Sequence, residues 1–155
     1  MKVTQCTKAD FDQILRDVSD FWGSDRTLHL HQPSLYYEFG NSAYVIKNDN
    51  KVIAYLFGFL SQTGPTAYVH LVAVRQTHQH QGLGHHLYNH FCEFAKENGC
   101  EALKAITTVT NKASINFHKS LGMELLGELD EEAGIPIVRD YGGIGNHRGV
   151  FHKSL

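Results

Sequence analysis

An apolar strand run, a turn built on two glycines and an amphipathic helix follow one another between residues 67 and 98, and this succession limits the fold more than any other part of the chain. Ala67–Val74 alternates, with Tyr68, His70, Val72 and Val74 on one face and Val69, Leu71 and Ala73 on the other. Gln79-His80-Gln81-Gly82-Leu83-Gly84 ends the alternation. From Gly82 to about Asn98 the apolar residues Leu83, Leu87, Phe91, Phe94 and Ala95 recur at helical spacing, and Gly99 stops the helix. Leu103–Val109 reads as the next strand. Strand, helix and strand in this order predict a β-α-β unit whose two strands run parallel through a right-handed crossover.

Around this unit the pattern changes. Thr7 followed by Asp10 resembles a capping box with a shortened acid, and it opens a helical spacing of Phe11, Ile14, Leu15, Val18 and Phe21, so one helix is expected over about 7–21. Pro33 suits the first turn of a short helix ending near Gly40. Ala43–Lys47 and Val52–Leu60 flank Asn48-Asp49-Asn50 and read as a hairpin. Beyond the β-α-β unit come a helix at Ala113–Leu121 and strands at about 123–129 and 149–154, with Ile135–Val138 as a possible third. The expected fold class is therefore α/β (α+β): a central mixed, mostly antiparallel sheet with one parallel β-α-β unit, flanked by about four helices. At 155 residues the chain reads as one domain, 1–155.

Charge narrows the function. Lys and Arg total 14 against 16 Asp and Glu, a formal net charge of −2, which removes the basic surface that nucleic-acid binding needs. No apolar run approaches the ~18–20 residues of a membrane span. The N-terminus has no signal-peptide apolar region. Cys6, Cys92 and Cys100 form no CxxC pair, so a cytoplasmic protein with reduced thiols is expected, without nucleic-acid or membrane partners. Histidine is the anomaly: there are 11, six of them between His70 and His90.

The glycine turn stands where a helix presents unpaired N–H groups and about +0.5 charge. Glycines let a bulky anion approach that backbone. Two readings fit: a cradle for phosphate or pyrophosphate, or a tight turn without a ligand. A Walker A loop is excluded, because Gly-Lys-Ser/Thr is absent. The dinucleotide fingerprint also fails, because Leu87 stands where a third glycine is required.

Gln79-x-x-Gly82-x-Gly84, after an apolar strand and before an amphipathic helix, resembles the acetyl-CoA signature of the GNAT N-acetyltransferase superfamily. Asn111-Lys-Ala-Ser114-Ile-Asn-Phe117-His118-Lys-Ser-Leu121-Gly122-Met123 resembles that family's second segment, in the right order and spacing. The resemblance covers about residues 43–123. The tail, Asp140-Tyr141-Gly142-Gly143 with Arg148 and Phe151, is similar to that of some small bacterial members. It implies a GNAT-like fold and an N-acetyltransferase that moves an acetyl group from acetyl-CoA to an amine by direct attack, without a covalent intermediate on Cys92 or Cys100 and without a metal. The partner so implied is an amine-bearing small molecule or peptide, and a homodimer is expected at family level only.

The resemblance also distributes roles. The backbone of Val72, Ala73 and Val74 would pair with the pantetheine arm. The amides of Gln79, His80, Gln81, Gly82, Leu83, Gly84 and His85 would hold the pyrophosphate. Asn111, Ser114 and Phe117 would lie on the cofactor side, with Asn111 bonding the pantetheine or the acceptor. His118 occupies the position of the family's usual tyrosine acid, and a histidine can carry the proton that the departing thiolate takes; Tyr141 is the alternative acid. No Asp or Glu lies in Ala67–Arg75 to act as base, and the same strand face offers Tyr68 and His70 instead, His70 having the better pKa.

Each of these histidines also has a structural reading, as a packed or solvated ring. His80 and His85 depart from the family pattern, and their protonation would tighten CoA binding at pH 6 relative to pH 8. His86 and His90 have an i, i+4 ligand spacing, with His29-x-His31 and His78-x-His80 nearby, but no third ligand is indicated. Asp130-Glu131-Glu132 is either a cation-attracting border or a solvated turn. Trp22, Tyr36, Tyr37 and Phe39 suit either an aromatic acceptor wall or the core. The missing carboxylate and tyrosine leave a second functional class open, a catalytically weak CoA-binding regulatory module.

Overall fold

The chain begins with a three-residue strand, β1 (Val3–Gln5), in a computed structural model that describes residues 1–155. The Asp10 amide then donates to the Thr7 hydroxyl (3.1 Å) and the Thr7 amide donates to the Asp10 carboxylate (3.0 Å), closing the capping box that opens α1 (Lys8–Arg16). The single helix expected over 7–21 is two helices. α1 stops at Asp17, where φ is −102° and ψ 15°, and α2 (Val18–Trp22) restarts without a side-chain cap, since the Asp17 carboxylate is paired with Arg75. α3 (Ser34–Tyr37), β2 (Ala43–Asn48), β3 (Lys51–Leu60), β4 (Thr66–Val74), α4 (Leu83–Glu97), β5 (Ala102–Thr108) and α5 (Lys112–Ser120) follow, each within a few residues of its expected place. β6 (Glu124–Leu125), β7 (Glu128–Asp130), β8 (Ile135–Ile137) and β9 (Arg148–Ser154) complete the chain.

Seven strands form one mixed sheet in the order β1-β2-β3-β4-β5-β9-β6, with one parallel pair, and β7 and β8 form a separate two-stranded sheet. Five helices replace the expected four because the first one breaks. The strand expected over 123–129 is also divided, into β6 and β7. Gly127 between them has φ 93°, and a Cβ there would lie 2.0 Å from the Ile137 carbonyl oxygen, so the chain turns at this residue rather than extending through it. No helix is long and apolar enough to cross a membrane.

Two compact units divide the chain: residues 1–59 with 69–98, and residues 60–68 with 99–155. The first packs Phe11, Ile14, Phe21, Val45, Tyr55, Phe57 and Leu71 into one apolar cluster. Each such side chain stabilises the fold by ~1.5–3 kcal/mol on full burial. A polar thread crosses this core. Trp22 Nε1 donates to the Tyr55 hydroxyl (2.7 Å), and His31 bonds both that hydroxyl through Nε2 (2.7 Å) and the Thr27 carbonyl through Nδ1 (2.8 Å). A carbonyl only accepts and an indole only donates, so Nδ1 carries the proton and Tyr55 donates to Nε2.

The second unit rests on β5 and β9, antiparallel from Ala102 opposite Ser154 to Thr108 opposite Arg148. This register puts Lys104, Ile106, Thr108, Arg148, Val150 and His152 on one face. Phe151, on the other face, stacks against the His118 ring of α5 (4.6 Å, 13° between planes).

Candidate functional site

Burial alternates strictly along β4. Ala67, Val69, Leu71 and Ala73 are buried, and Tyr68, His70, Val72 and Val74 are half-exposed, as the sequence pattern predicts. The strand ends at Arg75, which sequence reasoning passed over. The residue is 2% exposed. Nε and Nη2 donate to the Val52 carbonyl (2.9 and 2.8 Å), Nη2 and Nη1 meet Asp17 and Asp20 (3.1 Å each), and the cation lies 4.6 Å from the Phe21 ring centre. Arg75 is thus committed to holding the strand end against α2 and β3, and is not available to an anion at the turn. An arginine directly after an apolar strand, with two acids four residues or fewer apart in an early helix, is the signal that was present.

Past Arg75 a single 3-10 turn, Gln76–His78, leads to Gln79, whose Nε2 donates to the Val74 carbonyl (3.3 Å). His80 has φ 62° and Gly82 φ 78°, so two left-handed residues turn the chain into α4. For Gly82 this costs nothing; for His80 it is strained. Gly82 is the N-cap of α4 and supplies no side chain to the helix amides, no acid stands in the first turn, and a Cβ built on Gly82 meets nothing within 4 Å. Leu83 and Gly84 are buried, whereas Gln79, His80, Gln81, Gly82 and His85 are exposed. The helix start thus carries neither a side-chain cap nor an acid, and the space over Gly82 is open, which suits the approach of an oxyanion to the N-terminal end of the helix dipole.

His70 has a backbone hydrogen-bond partner, the Leu30 carbonyl, and its ring lies 6.2 Å from that of Phe59. Burial lowers its pKa, against the smaller raising effect of that bond. The ring is thus neutral near pH 7, with its proton on the nitrogen facing Leu30 and a lone pair on the other. Of the expected aromatic group, Trp22 and Tyr36 pack inward, on Tyr55 and Phe11, while Tyr37 is 62% exposed and Phe39 packs on Phe59. No group of three or more His, Cys, Asp or Glu side chains gathers to hold a metal ion. His90 instead packs edge-on against Tyr44.

In the second unit Asn111 caps α5: its Oδ1 accepts from the Ser114 amide (3.1 Å). His118 follows one turn later and is 3% exposed. Its Nδ1 lies 2.7 Å from the Ser114 carbonyl and 3.2 Å from the Ser114 hydroxyl. The carbonyl can only accept, so Nδ1 carries the proton and Nε2 of the neutral ring is a lone pair. Burial lowers the His118 pKa, partly offset by the bond to Ser114. Ser114 and His118 therefore meet as their helical spacing implies, but the ring at rest has no Nε2 proton to donate. Tyr68 is pushed up, first by burial and then by Tyr141, with Arg148 opposing, so it is a hydroxyl donor and not a base. The Cys6 thiol is pushed up to about 12, mainly by burial, which keeps it un-ionised.

The family model described as Acetyltransferase (GNAT) family matches residues 11–123. Among solved structures, Ard1 from Thermoplasma volcanium is similar over 99% of this chain and 97% of its own, with a TM-score of 0.76 and 16% identity. The ribosomal-protein-S18-alanine N-acetyltransferase from Escherichia coli is similar over 99% and 92%, at 0.69 and 18%. An aminoglycoside 6'-N-acetyltransferase complexed with coenzyme A is similar over 99% and 97%, at 0.71 and 10%. None of the curated proteins matches the chain significantly.

Proposed function

This chain belongs to the acetyltransferase (GNAT) family and is an acyltransferase, and on that premise we propose that it moves an acetyl group from acetyl-CoA to an amine acceptor by direct attack. The observation that carries the reading is the start of α4, with its uncapped amides, no first-turn acid and open space over Gly82. Backbone donors and the helix dipole can hold a diphosphate there without a lysine. Gln79, His80, Gln81, Gly82, Leu83, Gly84 and His85 would form that cradle, and the backbone of Val72, Ala73 and Val74 would receive the pantetheine arm. Asn111, with its carbonyl oxygen spent on the Ser114 amide, would offer its NH2 group. The family resemblance assigns Ser114 and Phe117 to cofactor binding as well. Acetyl-CoA supplies the activated thioester.

The amine arrives largely as an ammonium ion and must lose a proton before it attacks. His70 is the base of this proposal, because burial lowers its pKa and holds the Leu30-bonded ring neutral. Tyr68 would orient the acceptor as a hydroxyl donor. His118 is the candidate acid for the departing thiolate, but it must first gain a second proton, so its contribution would grow as pH falls. Cys92 and Cys100 take no part. The three cysteines form no disulfide, which suits a reducing cytoplasm.

Thermal unfolding with acetyl-CoA tests the donor, with NAD and ATP as controls. Ligand at about 100 times its Kd adds ~2.7 kcal/mol. For a domain of this size that is a rise of roughly 5–11 °C. A rise with acetyl-CoA alone supports the proposal, and thiol release with a panel of amines then tests turnover. No rise would overturn it. A rise without turnover of any amine would favour the CoA-binding regulatory module instead, a reading motivated by the absence of a carboxylate on β4 and by the unprotonated Nε2 of His118.

A further inference from the structure

We propose that the acceptor amine carries an oxyanion, a carboxylate or a phosphate, and that Arg148 and Lys104 of the second unit bind it together with the hydroxyls of Tyr68 and Tyr141. This rests on the acetyl-transfer reading above and adds the substrate class.

The second unit holds Arg148 with unusual care. Its backbone is paired on both sides, to Thr108 of β5 and to Val138, whose amide donates to the Arg148 carbonyl (2.9 Å) and whose carbonyl accepts from its amide (3.2 Å). Arg148 Nη1 donates to the His147 carbonyl (2.9 Å). The guanidinium face lies on Gly142, where a Cβ would come within 2.8 Å of Cζ, 2.9 Å of Nη2 and 3.0 Å of Nε. A side chain at position 142 would displace the guanidinium from where it now rests. The loop that presents it is closed on itself. Gly143 and Gly145 donate to the Asp140 carbonyl (3.0 Å) and carboxylate (2.8 Å), Gly142 donates to the Asn146 carbonyl (2.9 Å), and Asn146 donates to the Gly143 carbonyl (2.8 Å).

What this loop does not supply is an acid for Arg148. Asp130 is paired with Arg139 (3.1 Å), and the Asp140 carboxylate accepts from Gly145 and faces His147 (3.7 Å). Arg148 and Lys104 make no ion pair within 4.0 Å, although both stand on one face of the β5–β9 pair. Lys104 Nζ lies 5.5 Å from the centre of the Tyr141 ring, and Tyr68 is within electrostatic reach of Tyr141 and Arg148. Two cations without an ion pair thus share one face of the β5–β9 pair, with the Tyr141 ring beside Lys104, in a chain whose net charge is −2. A fixed guanidinium edge matches the two oxygens of a carboxylate or phosphate. Tyr68 also stands at an alternate position of β4 to His70, on the strand face from which the reading above draws its base.

The test uses matched acceptors in a thiol-release assay: L-phenylalanine against phenethylamine, L-methionine against 3-(methylthio)propylamine, and phosphoethanolamine against ethanolamine. We expect kcat/KM at least tenfold higher for the anionic member, and the ratio within a pair to collapse by about tenfold in Arg148→Gln and in Lys104→Gln, through KM. Preference confined to the phosphate pair would assign the anion as phosphate, and preference in the amino-acid pairs as carboxylate. Equal turnover within every pair, or ratios that survive both substitutions, would overturn the anion site while leaving acetyl transfer standing. If no amine is turned over, calorimetric titration with N-acetyl-L-phenylalanine against N-acetylphenethylamine decides: Arg148-dependent binding of the acid alone supports the site, and its absence refutes it.

Discussion

Arg75→Ala should destabilise the chain by ~3–4 kcal/mol, more than any single change on the glycine turn that follows it. The buried Val52 carbonyl accepts from two guanidinium nitrogens (2.9 and 2.8 Å) and would be left without either. An orphaned buried acceptor costs about 1–3 kcal/mol. The cation 4.6 Å from the Phe21 ring adds roughly 0.5–2 kcal/mol, and losing the stem of a side chain only 3% exposed leaves a void. The two ion pairs add little by comparison, since the Asp17 and Asp20 side chains are 32% and 63% exposed and would be rehydrated. Burial of the carbonyl, not charge pairing, therefore dominates. Arg75→Met, which keeps the stem, should lose about 2 kcal/mol, and Asp20→Asn less than about 0.5. Urea unfolding at constant m separates these cases. A loss below about 1 kcal/mol for Arg75→Ala, or a larger loss for Asp20→Asn than for Arg75→Met, would refute the reasoning.

Gly127→Ala should cost at least ~3 kcal/mol, because its Cβ meets the Ile137 carbonyl at 2.0 Å and φ is 93°; urea unfolding reads this, and a loss under about 1 kcal/mol would show the β6–β7 turn to be adaptable. His80→Gly should gain about 0.5–1 kcal/mol by relieving a φ of 62°, seen as a raised Tm; an unchanged or lowered Tm would mean the side chain contributes contacts that offset the strain. Stability should fall as pH drops below about 6.5, since burial lowers the pKa of His31, His70 and His118 in the fold and the unfolded chain then binds protons the native state does not. The loss accrues from the unfolded pKa down through the lowered folded values, and a urea midpoint at pH 5.5 equal to that at pH 7.5 would contradict it. His118→Gln should reduce kcat more at pH 6 than at pH 8, and the opposite trend in the pH profile would remove the acid role.

The β-α-β unit was legible because each signal agreed: period-two burial along β4, helical spacing along α4, and glycines with φ 78° and 75° at the helix start and stop. Elements failed to be read where tertiary contacts outweighed local pattern. The spacing from Phe11 to Phe21 fits one helix, yet Asp17 leaves the helical range and pairs with an arginine 58 residues away. β1 is three residues long and exists through its ladder with β2, so no local pattern marks it. Candidate site residues were legible as types and positions, but not as protonation states. Whether His118 can donate from Nε2 depends on a carbonyl 2.7 Å away, and Lys104 gains meaning only from a register with Arg148 that sequence alone does not set.

The histidine excess sorts by environment. His78, His80, His85, His86 and His90 line the glycine turn and the outer side of α4, and among them His80, His85, His86 and His90 are exposed. His31 and His118 are buried, each with Nδ1 hydrogen-bonded to a backbone carbonyl, and His70 also bonds a carbonyl. A carbonyl partner fixes which nitrogen keeps the proton, and burial opposes a second one. The inner histidines are therefore neutral rings of fixed tautomer near pH 7. His31 spends its lone pair on Tyr55, which makes it structural. Lone pairs suit proton removal from an ammonium ion and do not suit proton delivery to a thiolate. An enzyme so arranged would draw its catalytic advantage from deprotonating and placing the acceptor, which is the step where an anchored oxyanion on the acceptor would help most.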